Sequence, residues 1–264
     1  MTSNTLRSKT ALVTGSTSGI GQAIAQAFAE AGANVAVNGF GDPGPITTWC
    51  RHLADRCEVN VAFLPADVSD PEAVERMMGA ASASLGPVDI LVNSAGVNYL
   101  AEAEQLAPAE WDKVIAVHLS AAFHTSRLAL PTMKTRNWGR IINVASVYGL
   151  VGGLQRAAYA SAKHGLVGLT KVIALETTAF NITCNALCPG LVNTPPVENR
   201  IQEAMTSSHQ TRDEVLRTMM AQRQPTGQLV EPSSLASLAL FLCSDAARDI
   251  RGVALPVDGA WTAR

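Results

Sequence analysis

The sequence predicts an α/β fold: a single-domain, doubly wound parallel sheet, Rossmann-like, with helices on both faces and a helical substrate lid. Three observations carry that prediction. Short apolar runs suited to buried strands recur along the chain, separated by segments of helical periodicity. No composition shift, repeat or low-complexity run divides the 264 residues, a length at which α/β folds are often one domain. Glycine-rich and polar clusters follow the apolar runs, and in open sheets of this kind ligands bind at the carboxyl ends of the strands.

The first strand is Thr10 to Val13. Thr14-Gly15-Ser16-Thr17-Ser18-Gly19-Ile20-Gly21 follows, and then an alanine-rich helical segment through Ala31. Glycines at 15, 19 and 21 permit a tight turn and let the backbone approach a pyrophosphate at the positive end of the helix. Their G-x-x-x-G-x-G spacing differs from the G-x-G-x-x-G dinucleotide fingerprint, and an ordinary glycine-rich turn is the competing reading. A second strand, Ala33 to Asn38, ends in Gly39-Phe40-Gly41 before a proline-containing loop. Here a carboxylate would meet the adenosine ribose hydroxyls, or an arginine the 2′-phosphate of NADP. Neither is present, and the glycine turn carries no basic residue, so NAD is expected over NADP. Phe40 lies against the adenosine or packs in the core.

Val59 to Leu64 is a strand leading into Asp67-Val68. The Asp67 carboxylate either bonds an adenine amino group or forms a cap or turn for the helix near Pro71. Ile90 to Asn93 is an apolar strand running into Ser94-Ala95-Gly96, where small residues permit close backbone approach to a ligand. Trp111 to Met133 reads as one long helix, with Trp111, Ile115, Leu119 and Phe123 at helical spacing and expected in the core. Gly139 to Ala145 is the strand that delivers Ser146, and Arg156 to Thr177 is a helix. Ile182 to Leu187 is the next strand, ending in Pro189-Gly190 and Asn193-Thr194-Pro195. The helical, mostly charged segment from Val197 to Gln224 reads as a lid over a cleft, at about 193–225, which excludes water and selects substrate. A helix from Pro232 to Leu242 and a strand from Val253 to Val257 close the chain.

The chemistry is expected between Ser146 and Lys163. Tyr159 and Lys163 stand one helical turn apart and project from one face, within reach of the same small molecule. A free tyrosine, with a pKa near ~10, is a poor base at neutral pH; an ammonium beside it stabilises the phenolate and lowers that value. Ser146 would hydrogen-bond the oxygen whose proton Tyr159 takes, and such a site interconverts alcohol and carbonyl. Alone, a Tyr-x-x-x-Lys pair is weak evidence.

Composition narrows the partners. A net charge of −2 gives no broad electrostatic reason to expect nucleic acid or an anionic membrane, which leaves a small molecule. The first ten residues are polar and basic without an apolar signal region, and no apolar run approaches the ~20 residues of a membrane span. A soluble cytoplasmic protein is expected. Cys50, Cys57, Cys184, Cys188 and Cys243 match no zinc spacing and are expected as buried thiols, with no metal site.

Taken together, Thr14-Gly15-x-x-x-Gly19-x-Gly21, Asn93-Ser94-Ala95-Gly96, Ser146, Tyr159-x-x-x-Lys163 and Pro189-Gly190 resemble the short-chain dehydrogenase/reductase family, essentially from end to end. Within it the chain is similar to the bacterial D-3-hydroxybutyrate dehydrogenases through Val35 to Gly41, Trp138 to Asn143, Lys163-His164-Gly165 and Trp261-Thr262-Ala263-Arg264. The resemblance implies that Gly15, Gly19 and Gly21, with Thr17, Ser18 and Ile20 between them, hold the pyrophosphate of NAD. Asp67 and Val68 would meet the adenine. Asn93, Ala95 and Gly96 would line the adenosine and nicotinamide side, Pro189, Gly190 and Val192 would join them, and Thr194 would bind the carboxamide. Lys163 would also bind the nicotinamide ribose, and Tyr159 would be the general base. A homotetramer is the family default.

Departures from the pattern bear on substrate. Ser94 replaces the usual second Asn, and His118 stands where the family has the Asn that supports a proton relay; relay member and satisfied buried side chain both stay open. Positions that hold the substrate carboxylate as Gln, His and Lys are here Asn98, Tyr148 and Arg156; Leu191 replaces a Trp, and Arg200 a lid Gln. Arg156 favours an anionic substrate, and the altered pocket suits one larger than hydroxybutyrate. The expected activity is NAD-dependent oxidation of a short 3-hydroxy acid, D-3-hydroxybutyrate first. Alternatives are a different or larger hydroxy acid, a neutral secondary alcohol or ketone, and a non-catalytic dinucleotide-binding regulator.

Overall fold

A computed structural model of the chain describes residues 5–221 and 223–263. Residues 1–4, Gln222 of the expected lid and Arg264 of the C-terminal tetrapeptide lie outside them. The described residues form a seven-stranded parallel sheet in the order β3-β2-β1-β4-β5-β6-β7. Its strands are β1 (Thr10–Val13), β2 (Asn34–Val37), β3 (Val61–Phe63), β4 (Ile90–Asn93), β5 (Gly139–Val144), β6 (Ile182–Pro189) and β7 (Ala254–Val257). The order reverses between β1 and β4, which pair through Ala11↔Ile90 to Val13↔Val92. That reversal opens a crevice at the carboxyl ends of the two strands.

Helices cover both faces, which is why the central strands carry near-continuous apolar runs. One face packs α1 (Gly19–Glu30), α2 (Pro43–Cys57) and α9 (Pro232–Cys243) through Ile24, Phe28, Leu53, Leu235 and Leu242. On the other, α3 (Pro71–Leu85), α5 (Ala121–Arg136) and α6 (Ala157–Glu176) pack through Met77, Met133 and Ile173. Cys184 and Cys188 are buried within β6, on the same side of it, and all five cysteines are free thiols.

Three expectations change. The segment after β2 is no loop: Asp42 caps α2 by accepting from the Gly44 N–H at 3.0 Å, and Pro43 occupies the first helical turn, where a missing N–H costs nothing. The long helix from Trp111 is interrupted. It runs as α4 (Pro108–Ile115), a π-turn (Ala116–Ser120) and α5, and the wider turn rotates α5 out of 3.6-residue phase with α4. Phe123 beyond the turn is therefore on the outer surface, 48% exposed, and Trp111, also expected in the core, is 38% exposed, while Ile115 and Leu119 pack inward against Ala158 and Ala162.

The expected lid is a helical pair, α7 (Pro195–Ser208) and α8 (Arg212–Met220). Ile201, Val215 and Met220 are buried beneath it. A capping box between Thr211 and Glu214 starts α8, and Glu198 accepts from Arg212 at 2.6 Å to tie the two helices together.

Candidate active site

The crevice is a run of three adjoining cavities. The first, of about 350 Å³, is lined by Gly15, Thr17, Ser18, Gly19, Ile20 and Gly21 from the turn after β1, by Phe40, by Asp67 and Val68, and by Ala95, Gly96 and Thr194. Close packing makes this turn. A Cβ on Gly15 would stand 2.6 Å from the Ala95 Cα, and one on Gly21 only 2.4 Å from the Gly15 carbonyl oxygen. Gly15 and Gly19 also have positive φ, +63° and +58°, a region costly to residues with a Cβ. The Thr14 hydroxyl accepts from the Ser94 and Ala95 N–H groups at 3.0 and 3.2 Å, fixing the two walls to each other.

Asp67 bends the chain locally, accepting from the Ser69 N–H at 2.9 Å, and Asp70 rather than Asp67 caps α3. Phe40 is 72% exposed at the mouth and is not a core residue. The Asn38 side chain is engaged by backbone, donating to the Leu64 and Ala66 carbonyls at 3.1 Å. Asn93 departs from expectation. It lies behind the cavity wall, its amide donating to Asn143 at 2.9 Å and its carbonyl accepting from Thr125 at 2.7 Å, and Ser94, Ala95 and Gly96 line the cavity instead.

The second cavity, about 210 Å³, joins Ile20, Ala95, Gly96 and Thr194 to His118, Ser146, Tyr159, Lys163, Pro189, Gly190, Leu191 and Val192. Tyr159 and Lys163 do rise from one face of α6. Lys163, almost fully buried, donates to the Val144 carbonyl at 2.7 Å, with its Nζ 5.6 Å from the Tyr159 ring centre. Ser146 at the end of β5 accepts from the Tyr148 N–H at 3.2 Å and lines the same cavity as Tyr159.

The electrostatics correct one expectation. Burial raises the Tyr159 pKa above its ordinary value, outweighing the Ser146 side chain and the Arg156 charge, which favour the phenolate. Lys163 is itself lowered to about 7 by burial, so its ammonium is only partly populated at neutral pH and cannot dominate the tyrosine. Burial first, and the Lys163 charge second, lower His118 to about 3. A relay through an imidazolium is thereby disfavoured. His118 Nε2 lies 3.0 Å from the Val97 N and 2.8 Å from its carbonyl oxygen, so it serves one or the other according to tautomer. Its buried Nδ1 has no partner among the described residues, and its ring meets Tyr159 edge-on at 5.0 Å.

The third cavity, about 340 Å³, is lined by Asn98, Ser146, Tyr148, Arg156, Tyr159, Leu191 and Arg200, all seven of the expected substrate residues. Arg156 donates to the Asn98 side-chain oxygen and stacks near both Tyr148 and Tyr159, 5.5 and 5.7 Å from their ring centres. Arg223 and Trp261 also line it. Sequence reasoning does not select either as a site residue. Arg223 sits within a lid segment that carries arginines and carboxylates alike, and Trp261 carries only a resemblance; nothing local in their surroundings points to a pocket.

A dinucleotide fits these residues: a glycine cradle that any Cβ would fill leads by continuous cavity to a paired Tyr and Lys. A family model described as short chain dehydrogenase matches residues 9–205. The chain belongs to the short-chain dehydrogenase family. Among its relatives is a D-beta-hydroxybutyrate dehydrogenase of Cupriavidus necator, 47% identical over 98% of this chain and 100% of the relative. A D-beta-hydroxybutyrate dehydrogenase of Rhizobium meliloti is 45% identical over 97% and 99%. The crystal structure of an actinorhodin polyketide ketoreductase with NADPH superimposes with a TM-score of 0.87 at 34% identity, covering 96% of this chain and 97% of that one. This short-chain dehydrogenase is thus an oxidoreductase whose crevice takes a nicotinamide cofactor. No described helix is long and apolar enough to cross a membrane, and no metal-ligating cluster occurs among the described residues.

Proposed function

We propose that this short-chain dehydrogenase uses NAD to interconvert a short 3-hydroxy acid, D-3-hydroxybutyrate foremost, with its 3-oxo acid, acetoacetate. The observation that carries this reading is the meeting of Arg156 with Ser146 and Tyr159 around one cavity, an anion anchor beside a proton-transfer pair. The relatives named D-beta-hydroxybutyrate dehydrogenase support it. A preference for NAD is supported by the first cavity, whose described lining contains no Lys or Arg to meet a 2′-phosphate.

A bound nicotinamide dinucleotide supplies the acceptor for the hydride that leaves the alcohol carbon. Gly15, Thr17, Ser18, Gly19, Ile20 and Gly21 would hold its pyrophosphate, Phe40, Asp67 and Val68 its adenosine, and Ala95, Gly96, Pro189, Gly190, Val192 and Thr194 its nicotinamide half. Tyr159, as phenolate, takes the hydroxyl proton, and Ser146 holds the same oxygen. Lys163, fixed on the Val144 carbonyl one helical turn from Tyr159, would bind the ribose. Arg156, oriented by Asn98, takes the carboxylate, while Tyr148 and Leu191 shape the pocket and Arg200 closes it from the lid. His118 stays neutral and supports the Tyr159 ring. We place the enzyme in the cytoplasm as a homotetramer, for which the exposed Trp111 and Phe123 offer apolar surface.

The test is NADH formation from D-3-hydroxybutyrate, with the L-enantiomer and NADP as controls and Tyr159→Phe as the inactive reference. Turnover confined to the D-enantiomer and NAD supports the assignment. Tight NADH binding without turnover of either enantiomer would move it to another alcohol or ketone, and a Y159F variant as active as the parent would remove Tyr159 from the chemistry.

A further inference from the structure

Three arginines line the third cavity. Arg156 comes from the start of α6, Arg200 from α7 and Arg223 from the turn after α8, and no described Asp or Glu lines it with them. None of the three forms an ion pair with a described carboxylate. The nearby lid acids are engaged elsewhere, Glu198 by Arg212 at 2.6 Å and Glu214 by Thr211 at 2.8 Å. Arg156 and Arg200 are half-buried and Arg223 is exposed at the rim. The guanidinium groups are mutually close enough that Arg200 and Arg223 both oppose protonation of Arg156, in addition to its burial. A protein of net charge −2 has concentrated positive charge in one pocket beside the reacting tyrosine.

A single carboxylate does not balance that set. One carboxylate accepts a bidentate guanidinium well, and Arg156, held by Asn98 beside Tyr159, is placed to provide it. Half-buried Arg200 remains without a carboxylate partner, and partly buried charge without a partner is costly, while Arg223 adds a second positive charge at the rim. From this charge excess we infer that, beyond D-3-hydroxybutyrate, the pocket takes 3-hydroxy dicarboxylates, substrates with an anionic group on each side of the carbinol carbon. Arg156 takes one carboxylate, and Arg200 and Arg223 take the other as the lid settles over it. Leu191 and the lid leave a cavity of about 340 Å³, which accommodates the longer acid. The chemistry is unchanged: the carbinol C–H pair leaves as hydride to NAD, the hydroxyl proton goes to Tyr159, and the product is the 3-oxo diacid. This inference rests on the 3-hydroxy-acid reading of the site.

The test compares 3-hydroxyglutarate with its monomethyl ester, which has similar length but one charge fewer, and with D-3-hydroxybutyrate, all with NAD. We expect kcat/KM for the diacid to exceed that for the ester by about tenfold or more, the worth of one charge-assisted contact, with the difference mainly in KM. Arg200→Gln and Arg223→Gln lower the diacid-to-ester ratio, and Arg223→Lys, which keeps the charge, restores most of it. Equal kcat/KM for diacid and ester, or a ratio untouched by both Gln variants, overturns the inference. Turnover of 3-hydroxybutyrate with no diacid preference overturns it alone. No turnover of any of the three acids, with NADH still bound, overturns the 3-hydroxy-acid reading as well.

Discussion

Replacing Gly96 by Ala tests whether the site is built around His118. Gly96 has no positive φ, so the backbone accepts a side chain there; the obstacle is His118, whose Cε1 would lie 2.7 Å from the new Cβ. Restoring ordinary contact needs a shift of about 0.7 Å, and a well-packed site resists such a shift at ~1–3 kcal/mol. The imidazole is held where it stands, being 5% exposed, bonded to Val97 and set edge-on against Tyr159 at 5.0 Å. Displacing it carries the Tyr159 ring along, and a misplacement near 1 Å costs up to ~100-fold in rate. The assay is a double-mutant cycle of G96A and H118A, read by thermal melting and by kcat/KM with the alcohol substrate. G96A alone should lower both, whereas in the H118A background it should cost little, giving a coupling of at least ~1 kcal/mol. Additivity within ~0.5 kcal/mol would refute the claim that Gly96 is small because the histidine occupies its space.

Two further outcomes arise from the perturbed charges. Because the general base must be deprotonated and burial raises the Tyr159 pKa, kcat/KM for oxidation should climb with pH into the alkaline range. R156Q, removing a positive neighbour that favours the phenolate, should move the rise to higher pH, and an unmoved profile would deny that coupling. Lys163, lowered from 10.5 to about 7, binds more protons unfolded than folded between those values, so its contribution makes stability rise with pH across that window. At pH 7 the penalty is on the order of 5 kcal/mol, offset in K163M by ~1–3 kcal/mol for the Val144 carbonyl left without its donor. K163M should be inactive yet melt no lower than the parent at pH 7, with a flatter dependence of melting temperature on pH; a lower melting temperature with the same slope would contradict this.

What can be read in the sequence is local. Strands buried on both faces announce themselves as apolar runs, and Tyr159 and Lys163 announce a shared face because four residues make one helical turn. The Asp42-Pro43 start of α2 is legible in principle as cap and first-turn proline, but a second proline and a glycine in that turn mask it. The π-turn at Ala116–Ser120 leaves no mark on a 3.6-residue pattern, which is why helical spacing carried across it turns Phe123 inward. Arg223 and Trp261 reach the pocket from sites remote in sequence from Tyr159, and only tertiary folding brings them there. The sign of the Tyr159 shift is beyond pattern too: spacing reveals that a lysine is near, while burial decides what its charge is worth.

The polar residues behind the crevice explain how the helices that carry Tyr159, Lys163 and His118 hold their places. Asn93 of β4 donates to Asn143 of β5 at 2.9 Å, Asn143 donates to Thr170 of α6 at 2.9 Å, and Thr125 of α5 donates to Asn93 at 2.7 Å. All four residues are buried. Apolar packing alone tolerates small slides of a helix on a sheet, because burial is non-directional; hydrogen bonds in a low-dielectric interior do not, because a broken one leaves a desolvated group unpaired. The chain of four therefore fixes the register of α5 and α6 against the two central strands. The π-turn continues directly into α5 and sets His118, while α6 sets Tyr159 and Lys163, so one network determines the spacing of all three. Asn93, set behind the cavity wall, acts on the chemistry by holding these helices where their side chains meet.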